Sequence, residues 1–138
     1  MKLLSKGFTL IELIVAIAIV AVLSGVILFS ITQYINKGKD SNIAGNLAVL
    51  IPAGEVYYNY TNSYSGFCNS TVVTNAFAQM PPGNVHYCVG DSANSQAWAA
   101  CVKLFSNTAY AYCVDSRGMK KDKMPVASCT SNLPAQCP

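Results

Sequence analysis

Charge is scarce in this chain. Only 11% of its 138 residues are Asp, Glu, Lys or Arg, and it has a single histidine and a single tryptophan. It contains no G-x-S-x-G elbow, no phosphate-cradling Walker loop and no second histidine, so acyl-transfer, nucleotide and paired-histidine chemistry lack their residues. C-x-x-C is also absent, and His86-x-Cys88 is too little for a zinc site. After residue 31 the acids are Asp40, Glu55, Asp91, Asp115 and Asp122, without the spacing of a site. Catalysis, a bound metal and a cofactor are therefore not expected. The formal charge of +3 makes no case for general nucleic-acid binding.

What the chain has instead is a long apolar run, FTLIELIVAIAIVAVLSGVILFSI, from Phe8 to Ile31. At ~1.5 Å per helical residue it reaches roughly 36 Å, enough to cross a ~30 Å hydrocarbon core. Apart from Thr9, Ser24 and Ser30, its one polar side chain is Glu12. A charge inside such a segment costs roughly 3 kcal/mol or more, so it calls for a partner. The simpler alternative is a Glu12 that snorkels to the interface from an isolated membrane helix. Lys2 and Lys6 precede the run and would hold its amino end in the cytoplasm. A secretory signal has a shorter core followed by a small-residue cleavage site, and neither is present.

Lys6-Gly7-Phe8-Thr9-Leu10-Ile11-Glu12 resembles the processing site of type IV prepilins and of the related pseudopilins of type II secretion. The resemblance covers residues 1 to about 31. It implies a cut after Gly7 by a prepilin peptidase, methylation of Phe8 as the new first residue, and a filament-assembly role for Phe8 and for Glu12, fifth after the cut. The new cationic amine of one subunit would meet Glu12 of a neighbour, and a misplaced subunit would leave a buried charge unpaired. Many relatives carry a proline where this chain has Phe29. Gly25, beside Ser24, is the weak point that remains, since glycine costs ~1 kcal/mol against alanine within a helix.

These readings divide the chain into a leader (1–7), a membrane-spanning or filament-core helix (8–31) and an exported head (32–138). The head begins with an amphipathic helix over 32–60. Ile31, Tyr34, Ile35, Ile43, Leu47, Leu50, Ile51, Val56 and Tyr57 recur mainly at three, four and seven residues, with Pro52 expected to kink or interrupt the helix. Val72–Met80 reads as a short helix stopped by Pro81-Pro82-Gly83. Val85–Val89, Ala97–Phe105, Tyr110–Asp115 and Met119–Ala127 read as strands. Trp98, Ala100, Val102 and Leu104 share one face, expected to pack on the long helix. The fold class is α+β: a long amino-terminal helix on a small antiparallel sheet.

All six cysteines follow the apolar run, as expected of three disulfides in a small exported domain. By resemblance to the disulfide-bounded carboxyl loop of many type IV pilins, Cys129 pairs with Cys137, with Pro134 favouring the turn. A three-residue turn over Ser106–Thr108 would set Cys101 opposite Cys113, permitting that bridge and leaving Cys68 with Cys88. Cys88–Cys113 is the rival.

Arg117, Lys120, Lys121 and Lys123 form the one basic cluster beyond the leader. It is either a patch able to touch DNA or, the preferred reading, a solvated turn offset by Asp115 and Asp122. Tyr57, Tyr58, Tyr60 and Tyr64 are read as packing at the helix end. The implied function is a prepilin of a type IV pilus serving adhesion, motility or DNA uptake. Its partners would be further copies and other pilins, the peptidase, an inner-membrane assembly platform and the membrane before assembly. A pseudopilin of secretion or competence is the near alternative, and a lone membrane-anchored binding protein is the distant one.

Overall fold

The computed structural model describes residues 7–91 and 94–138. It divides into two compact units, one reaching to Ile35 and the other spanning Asn36–Pro138. Helix α1 runs from Leu10 to Thr61 and contributes to both.

Within the second unit, α1 buries Ile43, Leu47 and Leu50, spaced as one face of a helix requires. Pro52 does not end α1. It is exposed, so water can serve the carbonyl one turn earlier that loses its N–H partner. After α1, Gly66 takes a positive φ of 80° that leads into a single 3-10 turn over Phe67–Asn69. Helix α2, Thr71–Ala78, buries Val73 and Ala76.

Four strands follow, β1 His86–Gly90, β2 Trp98–Lys103, β3 Tyr110–Asp115 and β4 Lys120–Pro125. They form an antiparallel sheet in simple sequence order. Trp98, Ala100, Val102 and Val114 face α1 and α2 in one core, with Phe67 and Met80. Asp40 on α1 ties the β2–β3 turn to the helix, accepting the N–H of Phe105 at 2.6 Å and of Ser106 at 3.1 Å. The Lys39 ammonium lies 4.7 Å from the Phe105 ring centre.

The opposite face of the sheet is covered as well. Ala99, Cys101, Ala111, Cys113 and Met124 bury there under Cys129, Leu133 and Cys137 of the carboxyl-terminal segment. The central strands are thus shielded on both sides, which is why β2 is buried at every position but its last.

This second layer corrects two expected disulfides. Cys101 and Cys113 do stand opposite each other in the register, but they do not bridge. Cys101 bonds Cys129 and Cys113 bonds Cys137. Nor do Cys129 and Cys137 close a loop on themselves. Both central cysteines point onto the face that the terminal segment crosses, so each is met by a cysteine of that segment, with buried Leu133 between the two anchor points. The third bridge, Cys68–Cys88, fastens the 3-10 turn to β1.

Candidate functional site

The first turn of α1 organises the apolar run. Glu12 Oε2 accepts the Thr9 N–H at 2.8 Å and the Thr9 hydroxyl at 2.8 Å, while the Glu12 N–H reaches back to Thr9 Oγ1 at 3.3 Å. This is a reciprocal capping box, in which side chains satisfy N–H groups that the helix start leaves orphaned. The T-x-x-E spelling of Thr9 to Glu12 is the sequence signal for it. Oε1 makes no hydrogen bond among the described residues, so the carboxylate is oriented and half engaged.

The other polar groups of the run are spent within the helix. The Ser24 hydroxyl donates to the Val20 carbonyl at 2.7 Å and the Ser30 hydroxyl to that of Val26 at 3.3 Å. The aliphatic side chains have no such internal outlet. Exposure of the larger ones runs from 45% at Ile31 to 76% at Leu10. By length and composition α1 could cross a membrane. Gly7 is exposed. Lys2 and Lys6 lie outside the described residues.

The basic cluster is partly committed. Arg117 donates Nε and Nη2 to the Asp115 carboxylate at 3.1 and 2.6 Å, and Lys121 Nζ donates to the Pro138 carbonyl. Lys120 and Lys123 remain exposed on β4, an edge strand, where lysines discourage pairing with another sheet.

Sequence reasoning missed Asp115. Fully buried, it also accepts the N–H groups of Arg117 at 3.0 Å, Met119 at 3.2 Å and Cys137 at 3.0 Å. Burial pushes its pKa up. The Arg117 guanidinium and the N–H groups of Cys137, Arg117 and Met119 outweigh that and hold it below the ordinary carboxylate range. One carboxylate therefore joins the β3–β4 turn to the terminal strap. Of the tyrosines, Tyr64 is buried and Tyr57 and Tyr58 pack on the same core, while Tyr60 stands exposed. Among the described residues, no group of three His, Cys, Asp or Glu side chains could hold a metal ion.

An exposed apolar helix with one carboxylate fixed in its first turn and a small disulfide-strapped head define an α+β chain with a long amino-terminal helix. Residues 3–28 match the prokaryotic N-terminal methylation motif. The chain is 27% identical over 134 residues to the type IV wide pilus major component PilA4 of Thermus thermophilus, covering 97% of this chain and 98% of that one. It is 31% identical over 65 residues to the type IV major pilin protein PilA of Myxococcus xanthus, which is 47% of this chain and 30% of that protein. It is 44% identical over 43 residues to the type IV major alpha-pilin of Moraxella bovis, which is 31% of this chain and 27% of that protein. No solved structure gives a significant match. The chain is thus similar to type IV pilins at its amino-terminal motif and, for PilA4, along nearly its whole length.

Proposed function

We propose that this chain is a structural subunit of a type IV pilus, inserted as a prepilin, cut after Gly7, methylated on Phe8 and polymerised through its apolar helix. The observation that carries this reading is the Thr9–Glu12 box at the head of a helix whose aliphatic side chains have no cover in the isolated chain. Withdrawing that helix from lipid becomes affordable only where neighbouring helices replace lipid as its surroundings. The half-engaged Glu12 carboxylate has an oxygen free for the cationic amine of an adjacent subunit, and that pairing would fix register. Membrane peptidase, assembly platform and a separate motor are the partners this requires. The head, strapped by its disulfides, would form the outer surface.

Intact mass of the chain in material sheared from cells, reduced and non-reduced, tests the reading. A chain lacking residues 1–7, carrying one added methyl and three disulfides, is the expected result. A full-length chain confined to membranes would leave a membrane-anchored domain instead.

A further inference from the structure

The pairing of β3 with β4 has one irregularity, and it falls beside an open groove. Cys113 pairs with Lys121 and Ala111 with Met124, so Asp122 and Lys123 stand together opposite Tyr112 alone, as in a β-bulge. Lys121 and Met124 are committed to the terminal strap, one through its bond to Pro138 and the other by burial beneath it. The extra residue therefore leaves both Asp122 and Lys123 on the side of the sheet that faces α1, where both line the groove.

The groove has a volume of about 460 Å³, within the ~300–1,000 Å³ of small-molecule sites. Its helix wall is made by Ser41 and Ala44, which are small, whereas Ile43 and Leu47 of the same helix fill the core. Tyr110 and Tyr112, two apart on one face of β3, are half-buried and line it from the sheet. Their rings stack on no other ring among the described residues.

Its polar groups are unspent. The side chains of Tyr110, Tyr112, Asp122 and Lys123 make no hydrogen bond or ion pair among the described residues. Burial, together with the negative charge of Asp122, raises the Tyr112 pKa, so its hydroxyl stays a donor. Asn107 accepts the Ala109 N–H at 3.0 Å and keeps its NH2 for donation. Lys123 offsets Asp122, and the Asp40 carboxylate is already engaged by the N–H groups of Phe105 and Ser106.

We propose that this groove is a binding site for a neutral saccharide, with Tyr110 and Tyr112 as the platform for a sugar ring and Asp122, Lys123 and Asn107 as partners for its hydroxyls. An aromatic face, negative at its centre, suits the C–H face of a sugar ring. Sugar hydroxyls both donate and accept, which matches an acid, an ammonium, an amide and two phenols set around one hollow. An anion would meet Asp122, a cation would meet Lys123, and a planar base would need rings facing each other across a slot. The inference concerns the head alone and goes beyond the filament reading.

The full chain, purified in a detergent without a sugar headgroup (lauryldimethylamine oxide), is tested by saturation-transfer NMR. The probes are neutral oligosaccharides of glucose, galactose, mannose and N-acetylglucosamine, with sialyllactose as the charged comparison. At least one neutral probe should bind saturably at about 1 mM or tighter, with transfer strongest to its ring C–H protons. Ser41→Trp, which fills the groove from an exposed helix position, and Asp122→Ala, at an exposed strand position, should each weaken binding about tenfold or more at unchanged melting temperature. Lys120→Ala, on the same strand but outside the groove, should leave it unchanged. No binding by any neutral probe, binding that survives both groove substitutions, or a preference for sialyllactose overturns the inference. Each of these results leaves the pilus reading standing, since the mass of the sheared chain tests that separately.

Discussion

Gly54 lies against the indole of Trp98: a Cβ built there would sit 2.7 Å from Nε1 and 3.0 Å from Cε2. Trp98 is 1% exposed and packs against Phe67 with ring centres 4.8 Å apart and planes tilted by 51°, so it has no room to retreat. Its buried Nε1 also has no hydrogen-bond partner among the described residues. The contact between α1 and Trp98 therefore depends on the absence of one side chain.

Gly54→Ala should destabilise the head by about 1–3 kcal/mol through overpacking, despite the better helix propensity of alanine. Gly45→Ala, with open space around it, should do the opposite and raise stability by about 0.5–1 kcal/mol. Melting of the two variants beside the parent chain checks both signs. Equal effects would mean that Trp98 yields and the contact is not limiting.

Much of this architecture is legible in the residues, and what is not has a physical reason. Period-two alternation at Trp98, Ala100 and Val102 marks the helix-facing side of β2, and Tyr110–Asp115 reads as a strand with the bounds β3 has. Alternation cannot show that the interleaved Ala99 and Cys101 are buried too, because the cover comes from a segment about thirty residues away. The same blindness hides the disulfide partners. Pairing within a hairpin, or within the last ten residues, is the short-range solution, whereas the bridges span 24 and 28 residues of sequence. Asp115 looked like one acid of a surface turn, since nothing local reports that Cys137 returns to it. Pro52 illustrates the converse: a helix-breaking residue tolerated because it stands on the exposed side.

The strap makes the Asp115 carboxylate a sensor of acid. Its folded pKa is depressed, so its contribution is complete above the ordinary carboxylate range and is lost as pH falls through the lower, folded value. Stability should therefore drop on acidification below about pH 4. Asp115→Asn should cost about 1–3 kcal/mol at neutral pH, because the amide keeps one accepting oxygen but loses the charge that faces Arg117 and sets an NH2 against donors that the second oxygen now accepts. It should also flatten the acid limb of a stability-versus-pH curve. An unchanged acid limb would assign that limb to other carboxylates.

Tyr64 gives the alkaline counterpart. Burial, together with the hydrogen bond and negative charge of Glu55, raises its pKa to about 12. A raised folded value means its contribution is intact below pH 10, the unfolded value, and is lost as pH rises through 12. In a tyrosinate absorbance titration one residue should ionise well after the exposed ones. Glu55→Gln should bring that late step down, and Tyr64→Phe should delete it.

Peptide mapping without reduction should recover Cys101 joined to Cys129 and Cys113 joined to Cys137, and no Cys129–Cys137 peptide. Replacing Cys113 and Cys137 together by serine should cost about 2–5 kcal/mol, since a long loop of the unfolded chain is released. The loss should be less than additive with Asp115→Asn, because the Cys137 N–H and the Cys113 bridge hold the same end of the strap. Strict additivity in a double-mutant cycle would show the two ties acting independently.

The first turn of α1 separates two roles that Glu12 combines. Thr9→Val removes the hydroxyl that donates to Glu12 and accepts from its N–H, while leaving the carboxylate and its charge in place. Losing a cap of this kind costs about 0.5–2 kcal/mol, which corresponds to a factor of about 2–30 in any step that needs the turn formed. Glu12→Gln keeps a capping oxygen and removes the charge. If Glu12 acts mainly by pairing with a neighbouring amine, Glu12→Gln should reduce filament yield far more than Thr9→Val, and both chains should still reach the membrane. If holding the helix start is its main task, the order should reverse, because glutamine still caps and valine does not. Yields of sheared filament from the two variants, normalised to membrane-held subunit, decide between the roles.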